Sequence, residues 1–185
     1  MPYAGFWLRL IAMFIDGIVF LPVAIIYLYT RAASWEMAVM TTIPYCFLYA
    51  FYNVYFHARW GRTLGKMMIR IKVVTINGKD IRYGQAFMRH SVDMGLAVLS
   101  AVAFTMALGS VKNTGYFHGD WQQLNTLFHN ALPGWWNSVK AATQAWVFSE
   151  LVVLLTNKEK RSVHDFIAGT VVVRTDMQKG FQNKP

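Results

Sequence analysis

Residues 6–29 read FWLRLIAMFIDGIVFLPVAIIYLY. This apolar run is long enough to cross the hydrocarbon core of a bilayer, about 30 Å thick, as one helix. Further apolar runs lie at about 37–56, 91–111 and 139–156. The last of these is the weakest, because Lys140 and Glu150 interrupt it. The sequence therefore predicts one membrane domain over residues 1–185 with four transmembrane helices.

The composition agrees with a membrane protein, since 55% of the residues are hydrophobic and only 15% are charged. The formal net charge of +9 would suggest nucleic acid binding in a soluble protein. Here the basic residues lie in segments between the apolar runs, so we interpret them as a topology signal and predict no nucleic-acid partner. The first run contains Asp16 and follows no basic region, so we expect an anchor rather than a cleaved signal peptide.

Lysine and arginine are distributed unevenly among the connecting segments. Eight of them lie in the loop 57–90 and six in the tail 157–185, out of 18 in the chain. The positive-inside rule places both segments, and both chain termini, in the cytoplasm. The segment 112–138 is then an outer loop, and Arg31 is expected in a solvated turn between the first two helices.

The cytoplasmic loop shows a strand pattern. Residues 68–76 alternate β-branched and basic side chains, and the turn dipeptide Asn77-Gly78 follows. This predicts a short strand and a β-hairpin, and residues 170–174 offer a possible partner strand.

The outer loop shows a helical pattern instead. Asp120 can cap a helix that ends before Pro133, and its apolar side chains Trp121, Leu124, Phe128 and Leu132 share one face. Such a helix can lie on the outer membrane surface or cover the end of the bundle. The predicted fold is thus an all-α membrane protein, a four-helix transmembrane bundle with a small cytoplasmic β-hairpin and an amphipathic outer-surface helix.

Placing a carboxylate inside an apolar span costs free energy, so carboxylates found there are candidate functional residues. Asp16 lies two helical turns after Arg9, Asp93 lies four residues after Arg89, and Glu150 lies near the cytoplasmic end of the fourth span. The topology places all three in the same half of the bilayer. We predict that Arg9, Asp16, Asp93 and Glu150 bind a proton or small cation. The alternative is that they form structural ion pairs.

Two extramembrane segments contain further candidate residues. The segment Gly61 to Lys66 differs from a phosphate-binding loop in its glycine spacing and lacks the following Ser or Thr, so we expect Lys66 to meet anionic lipid headgroups. Asp165 follows Arg161 by four residues in a short interfacial helix that Gly169 ends. The adjacent His164 is either a group that titrates near neutral pH or a surface histidine without a role.

Nothing in the sequence predicts an enzyme, a metal site or a cofactor. No nucleophile, base and orienting group occur at a recognisable spacing. The single cysteine, Cys46, excludes an internal disulfide, and no Cys and His spacing suggests zinc.

Three segments together resemble the RDD family of small bacterial membrane proteins. They are residues 4–10 leading to Asp16-Gly17, residues 61–66, and residues 164–173. The motif positions are Arg9, Asp16, Gly61, Thr63, Gly65, Lys66, His164, Asp165, Gly169 and Thr170. The resemblance identifies Arg9 and Asp16 as the family arginine and first aspartate, with Asp165 or Asp93 as the second aspartate.

The resemblance implies a protein of the bacterial inner membrane that takes part in transport, since some members are similar to cation/proton antiporters. We therefore expect a transporter of small cations coupled to protons, assembled as a homo-oligomer in the lipid bilayer. The alternative is a non-transporting membrane module that binds or assembles a membrane or cytoplasmic partner protein. A lipid-modifying enzyme using His164 and Asp165 is the remaining possibility.

Overall fold

The computed structural model describes residues 3–113 and 120–177. In chain order these residues form α1 (Phe6–Ala33), α2 (Trp35–Trp60), α3 (Leu64–Met68), β1 (Ile71–Thr75), α4 (Tyr83–Arg89), α5 (Ser91–Val111), α6 (Trp121–Ala131), α7 (Trp136–Thr156), α8 (Val163–Ile167) and β2 (Thr170–Arg174), followed by a turn of 3-10 helix, Thr175–Met177.

Four of these helices, α1, α2, α5 and α7, are long and apolar enough to cross a membrane. Helix α5 has the bounds of the third predicted span, and α7 begins three residues before the fourth. Helices α1 and α2 extend beyond their predicted ends and leave only Ser34 between them. Arg31 therefore lies in the last turn of α1, and its exposed fraction is only 8%. The prediction of a solvated turn at Arg31 is wrong.

The chain divides into two compact units. The first comprises Met1–Val19, Ala50–Val92 and Gln144–Pro185, and the second comprises Phe20–Tyr49 and Asp93–Thr143.

A two-stranded antiparallel sheet forms part of the first unit. Strand β1 pairs with β2, with Ile71 opposite Arg174 and Thr75 opposite Thr170. Ile71 and Val73 of β1 pack with Val172 of β2 in a core that also contains Ala4, Ala12, Ile81 and Ala86. The predicted strand is therefore present, and its partner is the segment 170–174 that the sequence suggested.

The predicted hairpin is reduced to a turn. Gly78 adopts a left-handed conformation with φ of 76°, and the backbone N–H of Thr75 donates to the carbonyl of Lys79 at 2.8 Å. Beyond this turn, one isolated bridge within the described part of the chain, between Val74 and Asp80, returns toward β1. Lys79, Asp80 and Arg82 after the turn are charged, whereas β2 supplies three consecutive buried valines. Apolar burial thus favours β2 as the second strand.

In the second unit, α6 is the helix predicted after Asp120. The Asp120 carboxylate accepts a hydrogen bond from the backbone N–H of Gln123 at 2.8 Å, a standard N-cap. Leu124 and Phe128 are buried, and Leu132 packs beside them. They contact Ala38 of α2 and the α5 residues Ala107, Leu108 and Val111 in one cluster. Leu124 and Phe128 of the amphipathic helix are therefore covered by protein, whereas Trp121 of the same face is 49% exposed.

Candidate functional site

The first unit contains a buried ion cluster at Asp165, in the first turn of α8. This carboxylate is fully buried. Arg9 donates through Nη1 to its Oδ2 at 2.6 Å, and Arg89 donates through Nη1 to its Oδ1. Burial alone would raise the pKa of Asp165, but the charges of Arg89 and Arg9 outweigh it and hold this pKa well below the usual range. Asp165 is thus a stable anion between two arginines.

Further hydrogen bonds fix this arrangement. The backbone N–H and hydroxyl of Ser162 both donate to Asp165 Oδ2 at 3.1 Å, which caps α8. Arg9 also donates to the carbonyls of Lys160, at 2.5 Å, and Ala4, at 3.2 Å. The cluster therefore joins the start of α1 to the segment around α8.

The structure corrects the predicted link between Arg9 and Asp16, because Arg9 turns toward Asp165. The Asp16 carboxylate accepts hydrogen bonds from Tyr52 Oη at 2.8 Å, from Thr63 Oγ1 at 2.6 Å and from the backbone N–H of Gly65 at 2.8 Å. Asp16 therefore holds the loop that leads into α3.

The glycines of the segment 61–66 explain why this loop fits there. Gly61 ends α2 in a left-handed conformation with φ of 68°, and its carbonyl accepts from the Val73 N–H at 2.7 Å. A side chain at Gly65 would collide with the backbone carbonyl of Ala12 and lie 3.0 Å from Cγ of Asp16. The two glycines thus permit close approach of the loop to β1 and α1.

Lys66, at the other end of this segment, is directed at a histidine. Its Nζ lies 2.7 Å from Nε2 of the fully buried His57. Nδ1 of His57 lies 2.7 Å from the carbonyl of Asn53, which can only accept, so the ring proton belongs on Nδ1 and the lone pair on Nε2 faces Lys66. Burial, and then the charges of Arg89 and Arg9, hold the pKa of Lys66 well below its usual value. Lys66 was expected at lipid headgroups, and the structure places it against His57 instead.

A second histidine pairs with Glu150 of α7. His164 Nδ1 lies 2.6 Å from Oε2 of Glu150, and the His164 backbone N–H donates to Oε1 at 2.8 Å. Arg89 donates through Nη2 to Nε2 of His164 at 2.7 Å. Burial and the charge of Arg89 lower the pKa of His164. His164 is therefore a bonded member of the cluster and not a surface histidine without a role.

These geometries match the motifs that the sequence suggested for a family. The family model described as RDD family matches residues 3–169. The chain belongs to the RDD family. The matched region of this RDD protein includes the ion cluster from Arg9 to Asp165. No curated protein and no solved structure matches the chain.

Of the four predicted ion-binding residues, the RDD protein holds Arg9, Asp16 and Glu150 in its first unit, and Asp93 belongs to the second. The guanidinium of Arg89 was expected to pair with Asp93. It engages Asp165, His164 and Thr170 Oγ1, the last at 2.8 Å.

Sequence reasoning named Arg89 only as a neighbour of Asp93, did not single out Ser162, and missed three further side chains of the site. Tyr52 binds Asp16 and His57 binds Lys66. The ring of His90 is tilted against that of His57, at a centroid distance of 5.2 Å, and stacked on that of His164, at 6.4 Å. None of these three stands at a helical spacing from its partner, so no local pattern marked them. A histidine in the last turn of an apolar helix, as at His57, was the one available signal.

Proposed function

We propose that this RDD protein exchanges protons for small monovalent cations across the membrane, with Lys66 as the group that takes up and releases the proton. The supporting observation is the contact between Lys66 Nζ and Nε2 of His57 at 2.7 Å. A lysine whose pKa is held well below its usual value by burial and by two arginines releases its proton more readily than a solvated lysine does.

The charge balance of the cluster explains how proton release couples to cation binding. Three cations, Arg9, Lys66 and Arg89, stand against three carboxylates, Asp16, Glu150 and Asp165, in the same unit. Loss of the Lys66 proton leaves one uncompensated negative charge, and a monovalent cation restores neutrality. Buried charges require such compensation. The cation and the proton therefore compete for the same cluster.

Asp16 is the carboxylate best suited to meet the cation. Its Oδ2 accepts one hydrogen bond within the part of the chain that the structure describes, from Thr63 Oγ1. A carboxylate oxygen can accept more than one partner. In this proposal Asp16 binds the cation, and Lys66 takes up and releases the proton. The two residues are linked because Lys66 is next to Gly65 in the loop that Asp16 holds.

Flux measurements in proteoliposomes test the proposal. Vesicles with purified protein and an internal pH dye receive an external pulse of sodium or potassium, and the expected result is cation-driven proton flux. Lys66→Arg keeps the positive charge but does not release a proton near neutral pH, so this variant should lose at least about 90% of the flux. Lys79→Arg, in the turn after β1, is the matched control and should transport like wild type.

Two results would remove this function. One is the absence of sodium- or potassium-driven proton flux in the wild type. The other is unchanged flux in Lys66→Arg, with the variant folded as judged by its elution and thermal unfolding.

A second candidate, a non-transporting module that assembles a partner protein, draws on a different observation. The Asp165 carboxylate accepts hydrogen bonds from Arg9, Arg89 and Ser162. This arrangement holds helices together and needs no ligand. Crosslinking in mild detergent followed by purification tests this candidate. A chain that purifies without a stoichiometric partner would argue against it.

The membrane placement proposed for either function is the bacterial inner membrane, with the N- and C-termini in the cytoplasm. The support is the concentration of Lys and Arg in residues 57–90 and 157–185. A homo-oligomer is part of the transport proposal, because four helices enclose little volume for a pathway.

A further inference from the structure

Arg31, in the last turn of α1, is a buried cation in the second unit. Its exposed fraction is 8%. The guanidinium carbon lies 4.7 Å from the ring centroid of Phe128, 5.8 Å from that of Trp121 and 6.0 Å from that of Tyr27. Three aromatic rings therefore surround the charge.

The guanidinium of Arg31 makes fewer hydrogen bonds than it can donate. Its Nη2 donates to Oδ1 of Asn125 at 2.8 Å. Its Nε is buried and has no hydrogen-bond partner. Among residues 3–113 and 120–177, no carboxylate lies within ion-pair distance, 4.0 Å, of this guanidinium. Arg31 thus lacks a counter-charge in the described protein.

Arg31 differs from the arginines of the ion cluster in lacking a counter-charge, although Nε of Arg89 is also buried without a hydrogen-bond partner. Arg9 and Arg89 share the carboxylate of Asp165. Aromatic faces attract a cation, but they supply neither a negative charge nor an acceptor for the N–H groups. A buried charge without a counter-ion, and a buried donor without an acceptor, are both unfavourable. The site is complete only when an anion with acceptor oxygens is present.

We propose that Arg31 binds the phosphate group of an anionic membrane phospholipid. Phosphate oxygens match the planar guanidinium fork, which can donate two parallel hydrogen bonds. The position also fits a lipid, because Arg31 lies at the end of a helix long and apolar enough to span a membrane. Tryptophans such as Trp121 beside it are typical of the headgroup region.

A neighbouring pair supports the same assignment. Lys112 Nζ lies 4.1 Å from the ring centroid of Trp35, whose indole N–H donates to the carbonyl of Leu108 at 3.1 Å. Leu108 belongs to the cluster against which Ala32, next to Arg31, packs. Two cations and two tryptophans thus gather around one end of this unit, as expected at a headgroup layer.

Thermal unfolding of the full chain in neutral detergent tests the proposal, with phosphatidylglycerol, phosphatidylcholine or inorganic phosphate added. Phosphatidylglycerol at about 100 times its Kd should raise the wild-type Tm by about 5–10 °C. Phosphatidylcholine and inorganic phosphate should raise it far less. Arg31→Met should show no phosphatidylglycerol shift, whereas Lys79→Met, which removes an exposed cation of the first unit, should keep it.

Arg31→Lys serves where Arg31→Met fails to fold. It retains the charge but loses the fork, so the phosphatidylglycerol concentration that gives half the shift should rise about tenfold. A wild type without any shift, or an equal shift in the Arg31 variants, would overturn the proposal. An equal shift with inorganic phosphate would overturn the assignment to a lipid and identify the free anion as the ligand.

Discussion

At the scale of single residues, the pairing of Arg9 with Asp165 is the main revision of the sequence analysis. The rule that favours partners three or four residues apart suggested Asp93 for Arg89, and the two-turn spacing suggested Asp16 for Arg9. The actual partner lies 156 residues after Arg9. A pairing at that separation depends on tertiary structure, and no local spacing encodes it.

Asp165→Asn should destabilise the protein strongly, by about 3–5 kcal/mol, because it leaves Arg9 and Arg89 buried without their shared anion. The folded-state pKa of Asp165 lies well below that of the unfolded chain, so its contribution is complete above the unfolded pKa, about 4. It is lost only as the pH falls through the lower folded-state pKa. Thermal unfolding should therefore show the same difference between wild type and variant at pH 7 and at pH 5.

The matched control is Asp176→Asn. Asp176 pairs with Arg174 at 3.1 Å, and 54% of its side chain is exposed. Exposed pairs of this kind contribute at most about 1 kcal/mol. Equal losses of stability in the two variants would show that Asp165 is not the anion on which the arginines depend.

At the scale of elements, the loop into α3 fits closely against α1. Gly65→Ala should cost about 1–3 kcal/mol, because the added methyl group meets the Ala12 carbonyl, which belongs to the helix backbone and cannot rotate away. The change also pushes the Gly65 N–H away from Asp16. Unfolding temperatures and purified yields measure the effect.

A glycine in another short helix provides the comparison. Gly84 in α4 has nothing within 4 Å of the position that a methyl group would take. Gly84→Ala should be neutral or stabilising by about 0.5–1 kcal/mol, since alanine loses less conformational freedom on forming a helix. If Gly65→Ala behaves like Gly84→Ala, the close approach of α3 to α1 is not required for the fold.

The elements also show what a sequence can predict. Long apolar helices and the capped helix α6 follow from local patterns, and α5 has its predicted bounds. Strand β1 pairs with β2 rather than with a hairpin return strand because this pairing buries Val171, Val172 and Val173. The local sequence pattern suggested residues 170–174 as a partner strand but could not decide between the two pairings. The sequence analysis placed Arg31 in a turn rather than in α1, because a sequence gives no clear signal of where a helix ends when polar residues extend an apolar helix.

At the scale of the whole molecule, orientation in the membrane is a property that local geometry does not determine. The whole protein can be inverted in the membrane without breaking any of its internal hydrogen bonds. What differs is where Lys and Arg reside, because segments rich in them stay in the cytoplasm. Eight in residues 57–90 and six in residues 157–185, out of 18, give a large bias.

Reporter fusions should therefore give opposite results at two positions. A reporter that is active only in the cytoplasm should be active after Pro185, and a reporter that is active only outside should be active near Gly119. With four spans, both chain termini lie on one side, so a fusion at the N-terminus should agree with the one after Pro185. Swapped activities would reverse the proposed orientation. Activity of the same reporter at both positions would instead mean that α7 does not cross the membrane. This helix is the most exposed to that outcome, because Lys140 and Glu150 leave it only a short uncharged segment.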